Sequence, residues 1–293
     1  MTPRRPAPAS MLAVLAMAAW GLAYVPSALL VESWPPLLAA AARIGLGGAI
    51  IIGALALLGR PVLPGAEWRV VLILAVTQSA IFYGATFVGI AEEGAGTAAV
   101  LSNTDPLFVA ALAVMFLGER LTGRQWAGLA VGLVGAAAAV WQGPLWPLSV
   151  SWVSVLVVVG AIAWAIGTVA VSGRLRAGAR PVAIAGWQML IGAAMLAVIG
   201  LAAGGAPGTT GPREIGLIVL IALVGNAVPF ALFYMALGRG DAGRVSAWFF
   251  LVPVIGVLTA WPLLGDVPGP RLWAGLLLVC AGLWMVLAPR LRW

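Results

Sequence analysis

The sequence predicts an all-α integral membrane protein with ten transmembrane helices, arranged as two inverted five-helix repeats around a central cavity. Three observations predict it. Hydrophobic residues make up 63% of the 293-residue chain and charged residues 9%, where a soluble domain carries about a quarter charged. Apolar runs long enough to cross ~30 Å of hydrocarbon as helices recur ten times with short connections between them. The second half also repeats the first. Gly118-Glu119 followed by Trp126-Ala127-Gly128-Leu129 returns 147 residues later as Gly265-Asp266 followed by Trp273-Ala274-Gly275-Leu276, and Pro106 falls on Pro253. Five spans per copy is an odd number, so the second copy enters the bilayer from the opposite side.

The spans read as Ser10–Val31, Pro36–Leu58, Trp68–Ala91, Gly96–Leu117 and Gln125–Trp141, then Val150–Ser172, Val182–Ala203, Ile215–Leu237, Ala242–Leu264 and Leu272–Ala288. The repeats therefore occupy residues 1–145 and 146–293. Arg4 and Arg5 before the first run look like the start of a signal peptide. That run exceeds the ~7–15 residues of a signal core, and nine more follow, so a retained helix is expected.

Charge sets the orientation. All sixteen basic residues are Arg, and they lie mostly in loops. The net charge of +7 therefore gathers on no single polar face, and no nucleic-acid partner is expected. With the amino terminus inside, thirteen Arg fall in cytoplasmic segments and only Arg213 and Arg271 outside, with Arg43 inside a span. The positive-inside rule then puts both termini in the cytoplasm. The linker Ala91–Gly96 carries Glu92 and Glu93, whereas its counterpart Gly238–Arg244 carries Arg239 and Arg244. The same turn changed charge as it changed sides.

Catalysis is not expected. The chain has no His, and its single cysteine, Cys280, sits in an apolar run. No metal-ligand cluster, no resident cofactor and no phosphate-binding loop for ATP is expected.

Ionisable residues within spans are costly and face a cavity or a partner. Arg43 lies ~10 Å and Asp105 ~14 Å from the outer surface at 1.5 Å per residue, so an ion pair between them is feasible. The second repeat carries Gln188 at the place of Arg43 and Val252 at that of Asp105. Such a pair either locks two helices or meets a substrate, Arg43 taking a carboxylate. Aromatic and uncharged polar residues form a second group. Span three carries Gln78, Tyr83 and Phe87, and its counterpart, span eight, carries Asn226, Phe230 and Tyr234, with Tyr83 over Phe230 and Phe87 over Tyr234 at the offset of 147. The four-residue spacing puts each aromatic pair on one helix face. Trp20, Tyr24 and Trp164 from spans one and six complete an aromatic box, suited to an amphipathic organic solute. Gly128 and Gly132 form a close-packing pair, and Gly45–Gly48 can do the same for span two. Pro26, Pro106, Pro229 and Pro253 interrupt their helices, as hinges or fixed bends.

The five-plus-five repeat, Arg43 in span two, Ser102-Asn103-Thr104-Asp105-Pro106 entering span four, Gly118-Glu119 closing it and Ala18-Ala19-Trp20-Gly21 in span one resemble the EamA-type branch of the drug/metabolite transporter superfamily. The resemblance covers nearly the whole chain. It implies a secondary transporter that exports small metabolites, often amino acids, across the bacterial inner membrane by alternating access. The size and the 14 Trp are similar to the YddG-type exporters of aromatic amino acids, although Trp also anchors helices at the interface. The expected solutes are aromatic and other neutral amino acids. Other metabolites or drugs come next, and a channel for small solutes is the competing class. The expected substrate-binding set is Trp20, Tyr24, Arg43, Gln78, Tyr83, Phe87, Asn103, Asp105, Trp164, Gln188, Asn226, Phe230 and Tyr234. Proton coupling would use Asp105, while facilitated diffusion needs no titrating group. One chain holds both repeats, so a monomer in the lipid bilayer suffices.

Overall fold

A computed structural model describes residues 8–140, 151–208, 210–264 and 270–288. Arg4, Arg5, Trp141, Val150, Gly265, Asp266, Arg290, Arg292 and the repeat junction at 145–146 lie outside the described residues. Among the described residues every regular element is a helix. In chain order these are α1 (Ala9–Leu22), α2 (Tyr24–Val31), α3 (Pro36–Leu57), α4 (Trp68–Leu74), a π-helical segment (Ala75–Phe82), α5 (Tyr83–Ser102), α6 (Asp105–Phe116) and α7 (Gly123–Val140). After these come α8 (Trp152–Arg176), α9 (Pro181–Ala202), α10 (Pro212–Ala222), a second π-helical segment (Leu223–Ala227) and α11 (Val228–Leu237). The chain ends with α12 (Ala242–Ser246), a 3₁₀ turn (Ala247–Phe250), α13 (Leu251–Leu264) and α14 (Pro270–Leu287).

Proline explains most of the interruptions. It supplies no N–H and crowds the carbonyl four residues back. Those carbonyls belong to Leu22 for Pro26, Ser102 for Pro106, Gly225 for Pro229 and Phe249 for Pro253. α1 ends at Leu22, α5 ends at Ser102, Gly225 lies in the second π segment and Phe249 in the 3₁₀ turn. At the other positions proline starts a helix, where its missing N–H costs nothing: Pro36, Pro181 and Pro212 open α3, α9 and α10.

Six helical stretches are long and apolar enough to cross a bilayer by length and composition: Ala9–Val31, Pro36–Leu57, Trp68–Glu93, Trp152–Arg176, Pro181–Ala202 and Pro212–Leu237. The other four expected spans fall on the interrupted stretches around α6 and α12–α13 and on α7 and α14, which have 18 residues each. The linker expected as a turn at Ala91–Gly96 is helical in α5. The chain nevertheless doubles back there. A Cβ on Gly89 would lie 3.3 Å from the Ala98 Cβ, a separation that a straight helix would stretch to ~13 Å.

The core is apolar, and so is the outer surface, which sets the molecule apart from a soluble protein. Leu57, Met115, Trp152, Leu277 and Trp284 are exposed, while Arg43, Gln78, Asp105, Gln188 and Asn226 are buried. Water penalises such an outer surface and lipid tails do not.

Two long interfaces tie the first half of the chain to the second, α3 along α9 and α7 along α14. Small residues permit both. A Cβ on Gly128 would meet the Gly282 carbonyl oxygen at 2.8 Å, and one on Gly135 the Gly275 carbonyl oxygen at 2.8 Å. Backbone cannot yield as a flexible side chain can. Gly128→Val is therefore expected to destabilise the fold by about 1–3 kcal/mol through overpacking, read as a lower unfolding temperature of the detergent-solubilised protein. Gly132 meets Phe250. Gly47 and Gly48 lie against the second π segment and α9, with the Asn226 Cβ 2.8 Å and the Gly186 carbonyl 2.9 Å from added Cβ atoms.

At one end of the bundle Arg120, Arg124, Arg176 and Arg244 gather around Glu119 and Asp241. Gly118, at φ +65°, ends α6 in the left-handed conformation. Glu119 thus reaches the start of α12, where it accepts hydrogen bonds from the backbone N–H of Ala242 at 2.8 Å and of Gly243 at 3.1 Å. It also pairs with Arg176 of α8 at 3.1 Å. Another carboxylate link, Glu93 to Ser151 and Ser154, ties α5 to the start of α8.

Candidate functional site

α1, α2, α3, α5, α6 and α8 and the 3₁₀ turn surround a cavity near the middle of the bundle. Trp20, Tyr24, Ser27, Arg43, Tyr83, Thr86, Phe87, Ser102, Asn103, Asp105, Trp164 and Phe249 are in its wall. Its volume is about 40 Å³, room for a few waters at most. Its polar groups come from the first half of the chain, and its other members are mostly rings.

Arg43 is 4% exposed. Its Nε donates to Asn226 Oδ1 at 2.7 Å, Nη1 to Ser27 Oγ at 3.2 Å and Nη2 to the Gly225 carbonyl at 2.9 Å. Pro229 lacks the N–H that an α-helix would offer this carbonyl, so the helix break helps to create the acceptor. The guanidinium also lies 5.0 Å from the Tyr83 ring centre and 5.1 Å from that of Phe87, within range of cation–π attraction. The ion pair that similar depth makes feasible between Arg43 and Asp105 does not form: among the described residues neither Asp105 carboxylate oxygen has a hydrogen-bond partner. Hydrogen-bond acceptors on α2 and the second π segment have claimed the guanidinium.

Gln188 mirrors this crossing without charge. It accepts a hydrogen bond from Ser79 Oγ at 2.6 Å, and Ser79 lies 147 residues before Asn226. In each case a polar residue of α3 or α9 bonds to a residue in a π-helical segment. Such segments often mark functional positions in helices. Gln78, in the same π segment as Ser79, accepts from the Tyr234 hydroxyl at 2.5 Å and donates to Thr168 Oγ1 at 3.0 Å.

Below the polar wall the rings of Trp20, Trp164, Phe233 and Phe249 form a closed tetrad. Their six centre-to-centre separations run from 5.1 Å for Trp20–Phe249 to 5.9 Å for Trp164–Phe233. The rings come from α1, α8, α11 and the 3₁₀ turn. Tyr83 and Phe230 lie beside it, 6.1 Å apart.

Eight of the thirteen residues expected from the sequence line this cavity: Trp20, Tyr24, Arg43, Tyr83, Phe87, Asn103, Asp105 and Trp164. Gln78, Gln188, Asn226, Phe230 and Tyr234 are fully buried behind the wall, where the polar ones hold neighbours in place. Sequence reasoning missed Ser27, Thr86, Ser102, Phe233 and Phe249. Ser27 and Thr86 each stand three residues after an expected member, Tyr24 and Tyr83, and so share its helix face. Ser102 adjoins Asn103. Nothing in the local pattern distinguishes Phe233 or Phe249 from other apolar residues.

Among known proteins, the chain is 28% identical over 275 residues to "Uncharacterized transporter YvbV" of Bacillus subtilis, covering 91% of this chain and 87% of the relative. It is 28% identical to "Uncharacterized inner membrane transporter YedA" of Escherichia coli K12, over 88% and 83% of the two chains. It is 26% identical to "Probable amino-acid metabolite efflux pump" of Salmonella typhimurium, over 94% and 93%. A crystal structure 20% identical in sequence superposes with a TM-score of 0.78 over 95% of this chain and 96% of the other, a likeness of fold. The EamA-like transporter family matches twice, at residues 7–141 and 151–288. With both halves matched, polar residues buried within an apolar core and an apolar outer surface, this multi-pass membrane protein belongs to the EamA-like transporter family.

Proposed function

We propose that the protein exports small amphipathic metabolites, foremost aromatic and other neutral amino acids, across the bacterial inner membrane by alternating access. The observation that carries this reading is the cavity itself. Its lining combines a cation, a carboxyl group and hydroxyls with aromatic rings. A zwitterion with a flat apolar body needs those three elements. Arg43 uses three of its five N–H groups on the protein, leaving two for a substrate carboxylate. The Salmonella relative's printed name, an amino-acid metabolite efflux pump, agrees with this class.

The same proposal takes the chain as ten spans in two inverted repeats, residues 1–145 and 146–293, with both termini cytoplasmic and a monomer as the working unit. Several equivalences at or near the offset of 147 support it: the two π-helical segments, the Arg43–Asn226 and Gln188–Ser79 crossings, and the Gly128–Gly282 and Gly135–Gly275 contacts. Each of these contacts joins the first half of the chain to the second, as a pseudo-twofold axis requires. The gathering of Arg120, Arg124, Arg176 and Arg244 at one end supports the orientation. The cavity lies between the aromatic tetrad and the opposite end of the bundle. In this narrow form the tetrad closes the route to the cytoplasm, and transport requires its rings to part.

Counterflow tests the function. Proteoliposomes loaded with unlabelled tryptophan and placed in radiolabelled tryptophan are expected to accumulate label transiently, and phenylalanine to compete. A channel would equilibrate the label without overshoot. Absence of accumulation by folded protein would remove aromatic amino acids as substrates and direct the same assay to other metabolites and drugs.

A further inference from the structure

We infer that the substrate is held chiefly through an ammonium group bound by Asp105, and that a carboxylate on the substrate is dispensable. The inference rests on the transport reading above and narrows its chemistry.

Asp105 is 1% exposed and lines the cavity, with neither carboxylate oxygen bonded among the described residues. A local structural role would leave a trace. As the first residue of α6, Asp105 could have capped the helix, but among the described residues its carboxyl meets only its own backbone N–H and neither oxygen completes a hydrogen bond. It could have paired with Arg43, but no ion pair links them. Charge on a buried carboxyl without a partner is unfavourable, so a ligand that brings a cation with hydrogens to donate is what allows Asp105 to ionise. The surroundings suit one. Tyr24, Ser102 and Asn103 bring oxygens to the lining of the same cavity, and Trp20 is among its rings.

The two charges of the cavity are thus unequal as anchors. Arg43 has three protein acceptors and lies near two rings. A substrate lacking a carboxylate leaves it as it stands. A substrate lacking an amine leaves Asp105 bare. Amines with an apolar body should therefore bind as well as the matching amino acids, and the matching carboxylic acids should not.

Calorimetric titration of the full-length purified protein tests this with paired probes of one body and opposite charge: tryptamine against indole-3-propionate, phenethylamine against 3-phenylpropionate, and hexylamine against hexanoate. The amine of at least one pair is expected to bind about tenfold or more tightly than its acid, the scale of one charge-assisted contact. Asp105→Asn should erase that preference and Asp105→Glu should restore part of it. Because Asn could disturb α6, each variant is checked for a single size-exclusion peak and an unfolding temperature near that of wild type. A misfolded Asn variant passes the decision to the wild-type pairs and the Glu variant, whose longer side chain should change the amine affinity and leave the acid affinity alone. No amine preference in any pair, or a preference undiminished in folded Asp105→Asn, overturns the inference. Amine preference without counterflow of any amino acid overturns the amino-acid reading alone. Counterflow without amine preference overturns this inference alone.

Discussion

Arg43→Ala is expected to abolish tryptophan counterflow and to destabilise the protein by roughly 1–3 kcal/mol, the cost of leaving buried acceptors without a donor. The substitution removes donors to Asn226 Oδ1, Ser27 Oγ and the Gly225 carbonyl together, and the first and last of these lie in the second π segment. Stability and transport can be separated by Arg43→Gln. Glutamine stands at the counterpart position, where Gln188 bonds to Ser79 at 2.6 Å, so it should renew a neutral bond to Asn226 and recover most of the unfolding temperature. It should not recover transport of a zwitterion, because a substrate carboxylate, although not needed for binding, is then buried without a counter-charge. Counterflow by Arg43→Gln equal to wild type would show that the cation takes no part in the cycle. Arg43→Lys should behave poorly in both assays, since one ammonium cannot replace a planar fork that serves three acceptors.

Trp164→Ala should destabilise the protein by roughly 3–5 kcal/mol, the range for emptying a buried Trp site, and should turn exchange into leak. Trp164 is 1% exposed and touches every other ring of the tetrad. It also meets Phe82 at 4.7 Å and Phe230 at 5.7 Å. Its loss removes several edge and stacking contacts worth ~0.5–1.5 kcal/mol each beyond burial, and opens the floor of the cavity. Preloaded tryptophan should then leave proteoliposomes without solute on the other side, and the counterflow overshoot should shrink. Trp164→Phe keeps a ring in place and should retain most of the overshoot. A tight, fully exchanging Trp164→Ala protein would remove the tetrad from the barrier.

The parts of the site that depend on spacing were legible in the sequence. Trp20 and Trp164 were expected on one cavity and lie 5.7 Å apart. Tyr83 and Phe230, matched by the offset alone, lie 6.1 Å apart. Helical periodicity supplies this information because it assigns each residue a face and a depth. It does not supply the rotation of one helix against another. Arg43 and Asp105 have similar depth, which makes a pair feasible, yet Asn226 and Gly225 face the guanidinium instead. Gln78 and Gln188 were read as wall residues for the same reason, and they bond to neighbouring helices behind it.

By itself the sequence determined the helical class, the breaks that proline imposes and the placing of polar residues within apolar spans. Each follows from composition, from missing backbone donors or from the cost of charge in hydrocarbon. Tertiary structure decided which buried groups were satisfied and which were left bare. Arg43 found three acceptors, Asp105 found none, and Phe233 and Phe249 joined Trp20 and Trp164. Those outcomes depend on the azimuth and close approach of helices far apart in the chain, set by the glycine contacts between α3 and α9 and between α7 and α14. No local pattern encodes that geometry, because it exists only once the two halves have packed together.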